Sequence, residues 1–270
     1  MVAVWPSLPP TKGSCTGAVV FRQAPSLRAR VRRPTRSDSL LPVAGPPPGR
    51  RLASAASLNP SAGHHLVTGD PRELAAAERA GERSWLRWPY YARRYGERGR
   101  QFTRSDSAWL ATLAGWPASV VERQVRWLGA LLAARGMPRL LLEEHLGILH
   151  EELVAAVPER AADYGALLRV AAALRRERAA AMPEPELRAL AAGFRTLLDD
   201  AAGDDLRAGV LIAAAVADER AGVPRAVAGL LEWLADPARF PVAWLAAVEQ
   251  TLRRARRGRR GARRAGGLGP

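Results

Sequence analysis

The sequence predicts an all-α protein, a helical bundle of about seven to nine helices in two packed units. Disordered N-terminal and C-terminal tails are expected to flank it. Three observations carry this expectation. Between residues 71 and 256, apolar residues recur at three- and four-residue steps. Pro, Gly and Asp punctuate those stretches at helix-length intervals. No alternating two-residue pattern of useful length occurs, and no Asn-Gly or Asp-Gly turn joins two such runs.

Residues 1–70 hold PSLPP, GPPPGRR and SLNPSAGHH and no apolar period. Such a segment buries too little surface to offset its ordering entropy, so disorder is expected there. Its arginines and scarce acids resemble a transit peptide, but no amphipathic helix accompanies them. A translation start at Val67, just ahead of the first helical segment, is an alternative reading of the same stretch.

Asp70 and Pro71 have N-cap and first-turn character for PRELAAAERAGERSWLRW. Pro89 restarts the helix ahead of YYARRYGERG. Ser105 or Asp106 is expected to cap SAWLATLAG. Pro117 opens ASVVERQVRWLGALLAARG, which ends at Gly136 and carries a broad stripe of Val120, Val121, Trp127, Leu128, Leu131 and Leu132. Pro138 starts a helix whose Leu142, Leu146, Leu149, Leu153 and Val157 share one face, and Pro158 ends it. The next places Tyr164, Leu167, Leu168, Ala171 and Leu174 together. Pro183 and Pro185 mark the clearest internal break.

A second group follows. PELRALAAGFRTLLDD stops at Gly203, and Asp204 or Asp205 caps LRAGVLIAAAVADERAG, apolar nearly all round and so expected to be buried. Pro224 and Pro241 open the last two helices. The expected organisation is an extension over 1–70, a first unit over 71–182, a second over 183–256 and an arginine-rich tail over 257–270.

Charge is segregated. The formal net charge of the chain is +15, yet residues 71–252 hold 24 basic and 24 acidic side chains. Residues 1–70 carry nine basic and two acidic side chains, and residues 253–270 carry eight Arg and no acid. That last group, Arg253, Arg254, Arg256, Arg257, Arg259, Arg260, Arg263 and Arg264, could bind nucleic acid or another anionic surface. A solvated tail with no dedicated partner is the plainer reading. Cys15 is the sole cysteine, which excludes an intramolecular disulfide and fits a reducing cytoplasm. The longest apolar run, 208–217, is about half the roughly 20 residues of a membrane span, so none is expected.

Catalytic signatures are missing from the sequence. G-x-S-x-G, S-x-x-K and Gly-rich phosphate loops do not occur. A non-enzymatic protein without a cofactor is expected, with a protein partner as its counterpart. His145 and His150 flank the leucine stripe at roughly −60° and +80° from Leu142 and do not share a face. A Glu-x-x-His box would need Glu at positions that hold Leu142 and Gly147. A metal or haem site would therefore need ligands from another helix, and structural or surface histidines are the plainer reading.

The densest stretch, WLRWPYYARRYGERGRQFTRSDSAWL, leaves alternatives open. It reads first as an aromatic seam in which Arg98 stacks on a ring or pairs with Asp106, while Gly96 and Gly99 permit a bend or a close helix approach. It reads second as a pocket for an aromatic, anionic or tetrapyrrole ligand, lined by Tyr91, Tyr95, Arg98, Asp106, Trp109 and Trp127. Stacking of single-stranded nucleic acid on these rings is a third reading.

The run YYARRYGERGRQFTRSDSAWLATL, followed by VRWLGALLAARGMPRLLLEEHLGIL, resembles an uncharacterised bacterial family of helical proteins. Over roughly residues 90–180 it is also similar to the helical segment that precedes the cobalamin-binding domain of some bacterial regulators. The resemblance implies a sensory or interaction module. The D-x-H-x-x-G cobalamin-ligand motif does not occur in this chain, so no functional residue carries over.

Overall fold

The first folded feature is a two-stranded antiparallel hairpin. Strand β1 (Leu52–Ser54) pairs with β2 (Leu66–Thr68), with Ala53 opposite Val67. The computed structural model describes residues 50–198 and 204–265, with side chains described as far as Arg257. Residues 50–70, expected to be disordered, are thus folded, while residues 1–49 lie outside the described residues. The strands are too short to show a period, and their hold is long-range. Ala55, Ala62 and Val67 are fully buried in the first core. A chain beginning at Val67 would lack Ala53, its pairing partner.

Arg50 supplies the strongest tie. Its guanidinium donates to the carbonyls of Ala111 (2.9 Å), Thr112 (2.7 Å) and Ala114, and to Glu73 Oε1 (2.8 Å). A cation thus closes the C-terminal end of a helix, where orphan carbonyls and the negative dipole end meet. Glu73 is fully buried and also accepts from Arg160 (2.6 Å), Tyr164 Oη (2.6 Å) and Thr68 Oγ1.

Nine helices follow among the described residues. Helix α1 (Pro71–Arg87) begins as expected, with Asp70 accepting from the Arg72 amide at 2.8 Å. Helix α2 runs from Pro89 to Leu113. Ser105 and Asp106, expected as caps, lie inside it. The break is at Gly96, at φ 54° and ψ −153°, a region that L-residues avoid. Helices α3 (Ala118–Ala134), α4 (Arg139–Ala156), α5 (Ala161–Ala181) and α6 (Glu184–Leu197) follow the expected proline punctuation. Helices α7 (Ala208–Arg220), α8 (Ala226–Leu234) and α9 (Val242–Ala265) complete the chain. Asp204 accepts from the amides of Ala208 (2.6 Å) and Gly209 (3.2 Å), so it serves the α7 N-terminus as expected.

Two cores result. The first holds the hairpin, α1, the second half of α2, α3, most of α4, and α5. The second surrounds α7, whose residues Leu211 to Asp218 are all buried, as the all-round apolar pattern requires. Membership does not respect the break at Pro183. Trp88, Tyr90, Met137, Leu140 and Leu141 belong to the second core, so the start of α2 and the start of α4 cross over. Two expected core residues face out instead: Trp127 is 41 % and Leu168 43 % exposed. Trp127 stands about 100° round its helix from the buried Leu128, at the edge of a stripe wider than the contact it serves.

A buried ion pair joins the cores. The Arg139 side chain donates to Asp218 Oδ1 and its amide to Asp218 Oδ2, both at 2.8 Å, tying the first turn of α4 to the end of α7. Burial pushes the Asp218 carboxyl up, and the Arg139 charge opposes that shift. Helix α9 remains helical to Ala265, so the expected tail boundary at 257 is not a helix end; residues 266–270 lie outside the described residues.

Replacing Glu73 with Ala leaves the buried Arg50 guanidinium without its carboxylate and should destabilise the fold by about 3–5 kcal/mol. Urea denaturation measures it, and a loss below 1 kcal/mol would show that the cluster is solvated. Nothing lies within 4 Å of a Cβ built on Gly96. Gly96→Ala should therefore cost about 1–3 kcal/mol from backbone strain alone, and an unchanged unfolding midpoint would contradict the assigned kink.

Candidate functional site

A cavity of about 50 Å³ lies where α1, α2, α3 and α4 meet beside the kink. Its apolar wall comes from Trp85, Leu110, Leu128, Leu132, Met137 and Leu142. Its polar members are Ser84, Thr103, Asp106, Ser107 and His145, with Tyr91 and Tyr95 on the side of the first half of α2.

His145 forms a polar rung across the cavity wall. Ser84 Oγ is 2.8 Å from Nδ1 and Ser107 Oγ is 2.9 Å from Nε2. Ser107 donates its own hydrogen to the Thr103 carbonyl at 2.6 Å. It therefore accepts from Nε2–H, which assigns the proton to Nε2 and leaves Nδ1 to accept from Ser84. Burial pulls the imidazole down to about 4, so the neutral ring is the native form. Both nitrogens are engaged by serines. His150, one turn and a half further on, does not line the cavity. Among the described residues, no group of three or more His, Cys, Asp or Glu side chains is placed to hold a metal ion.

The aromatic stretch divides at Gly96. Before it, rings and one arginine act as a clamp between helices. Tyr90 is fully buried and donates to the Gly136 carbonyl at 2.5 Å. Tyr95 donates to the Arg135 carbonyl at 3.0 Å. Arg94 donates to Tyr90 Oη (2.6 Å) and to the Gly229 carbonyl (2.8 Å), with its guanidinium 5.2 Å from the Tyr95 ring centre. Gly229 and Gly136 permit that crossing, since a Cβ on Gly229 would lie 2.4 Å from the Ala134 carbonyl oxygen. Burial pushes the hydroxyls of Tyr90, Tyr91 and Tyr95 upward, so all three stay neutral. Tyr91 stacks on Trp85, with ring centres 5.7 Å apart.

The structure therefore brings together Tyr91, Tyr95, Asp106 and His145 of the expected site residues. It does not bring in the others. Arg98 is exposed and sits over the Phe102 ring at 6.0 Å, the ring contact that was one of its two expected roles. Trp109 is buried in the first core and Trp127 is on the surface. The anionic-ligand reading loses its cation, because the lining contains a carboxylate and no arginine. A tetrapyrrole is far larger than the space.

Sequence reasoning overlooked Ser84, Ser107 and Arg94. The first two left a faint signal: each is a serine on an otherwise apolar helix face, where its hydroxyl needs a partner. Comparison of the chain with protein-family models, with curated proteins and with solved structures gives no match.

The neutral His145 sets a pH dependence. Above the ordinary value of 6.5 the ring is uncharged in both the folded and the unfolded chain. As pH falls from 6.5 to about 4, the unfolded chain takes up a proton that the folded one refuses. Stability should fall across that window by about 3 kcal/mol and flatten below it. Urea denaturation of the wild type and of His145→Gln at pH 7, 5.5 and 4 tests this. The stability difference between the two proteins should shift by that amount, and a constant difference would contradict a buried neutral ring.

Proposed function

We propose that the protein is a non-catalytic regulatory module that senses a small ligand at the α2 kink and signals to a protein partner. The observation that carries the reading is the position of the cavity. It is bounded by both halves of α2, one anchored in each core, by Tyr91 and Tyr95 before the break at Gly96 and by Gly99 and Thr103 after it. A ligand lodged there bears on the angle between the halves, and hence on the fit between the cores.

Size constrains the ligand. Pockets for drug-sized molecules run to about 300–1,000 Å³, so the cavity of about 50 Å³ suits a compact, mostly apolar molecule with one polar end. Chemistry favours binding over turnover. Ser84 and His145 are within hydrogen-bond reach, but the second ring nitrogen meets a serine hydroxyl, with no carboxylate to orient and stabilise an imidazolium. A ring held neutral down to about pH 4 is a weak general base at neutral pH.

The resemblance to helical segments of bacterial regulators is in keeping with a sensory role. Leu86, Trp127 and Leu168 are large exposed side chains through which a partner could read the state. Among the described residues, no helix is long and apolar enough to cross a membrane. With Cys15 as the sole cysteine, we place the module in the cytoplasm.

Ethanol, small enough for the space and mostly apolar with one hydroxyl, is a suitable probe. At ten times its Kd it should stabilise the fold by about 1.4 kcal/mol, a thermal shift of a few degrees, and should alter Trp85 emission. Leu132→Phe fills the cavity and should abolish both effects. Equal shifts in the wild type and the filled variant, or none in either at sub-molar ethanol, would reject the sensor reading.

A further inference from the structure

The ligand site makes no use of the arginines of α9. Their surroundings carry a separate argument. The stem of α9 is locked into the second core: Ala247, Val248, Thr251 and Ala255 are all at most 2 % exposed. Arg220 of α7 donates to the Ala255 carbonyl, fixing the last buried turn. Beyond Ala255 the backbone stays helical to Ala265, about 15 Å of further helix. Arg253, Arg254, Arg256 and Arg257 are exposed on it. Residues 253–264 carry eight arginines and no acid, while 71–252 is charge-balanced. Within residues 71–270 the excess positive charge is therefore confined to one end of one helix. Only two of the described arginines there have an acidic neighbour, Arg253 with Glu249 and Arg256 with Glu219.

Such a segment is unfavourable by itself. Arginines stand three and four residues apart along it, a repulsive spacing in a helix. Gly258 and Gly261 each lower helix propensity by about 1 kcal/mol relative to Ala. A polyanion lying along the helix relieves the repulsion. The sequence RRGRRGARRA at 256–265 has no apolar side chain larger than Ala. A bilayer-seeking helix needs a large apolar face, and this one has none. The planar guanidinium fork matches phosphate oxygens; arginine can also read guanine edges, but the segment has no Asn, Gln, Ser, Thr or acid to read the other bases.

We infer that the C-terminal half of α9 is a nucleic-acid-binding element that engages the phosphate backbone of a duplex without sequence preference. Four to six phosphate contacts give a slope of log K against log salt of about −4 to −5. Affinity should then fall by several hundred-fold between 50 and 200 mM NaCl, on the same relation.

The test uses the full chain, a fluorescein-labelled 20-base-pair duplex and anisotropy over that salt range. The comparison protein is the full-length variant Arg257→Gln, Arg260→Gln, Arg263→Gln, Arg264→Gln, whose thermal midpoint should match the wild type. Expected are the steep wild-type slope, equal affinity for two unrelated duplex sequences, and a variant slope shallower by about three to four. Equal binding by wild type and variant would overturn the inference. So would displacement of the duplex by polyglutamate as effective as that by unlabelled duplex. Binding to phosphatidylserine vesicles without binding to the duplex would overturn it too.

Discussion

A guanidinium group removed from water must be surrounded by acceptors, and that requirement organises this protein. Four arginines meet most of it deep in the fold, with Arg94 Nε, Arg139 Nη2 and Arg178 Nη1 left without an acceptor. Arg50 reaches three carbonyls at the end of α2 together with Glu73. Arg94 reaches a tyrosine and the α8 backbone. Arg139 is held by Asp218 and Glu177, and Arg178 by Glu143 and Glu184. Each tie joins segments that the chain itself keeps apart. Leucine and alanine faces supply most of the burial, but apolar contact tolerates sliding. A charged fork with a fixed set of partners does not, so these ties set the register in which the helices pack.

Helix α2 shows what that fixing achieves. Its first seven residues are clamped by Tyr90, Arg94 and Tyr95 to the α3–α4 turn and to α8. Its second part is packed in the first core and plugged by Arg50. A continuous helix satisfies both sets of contacts only by bending, and Gly96 takes the strain. The space beside the bend is the cavity. His145 lies in its wall as a neutral ring between two serines, a polar group whose hydrogen bonds are satisfied without any charge.

The arginine excess divides between two roles. Around α1 and α4, Arg79, Arg83 and Arg87 pair with Glu152, Glu151 and Glu144, lacing neighbouring helices at the surface. Such exposed pairs contribute little each, yet they leave the bundle without a net field. At the end of α9 the acids stop and the arginines continue. The first pattern is mortar within the fold, and the second is charge directed outward.

The sequence by itself determined the helices and most of their limits. Pro89, Pro117, Pro138, Pro158 and Pro241 act through their own rings, and Asp70 and Asp204 through amides a few residues away, so these signals are local and readable. Burial of α7 was legible for the same reason, from apolar residues on every side of one helix. Only the tertiary structure decided the rest. The hairpin depends on Arg50 meeting carbonyls more than sixty residues later. The neutrality of His145 depends on Ser84 and Ser107 from two other helices. Whether Arg94 or Arg98 is the buried member of the seam depends on where α8 crosses. Periodicity reports which face of a helix turns inward; it carries no information about which distant atoms wait there, and those atoms placed the charges, the kink and the cavity.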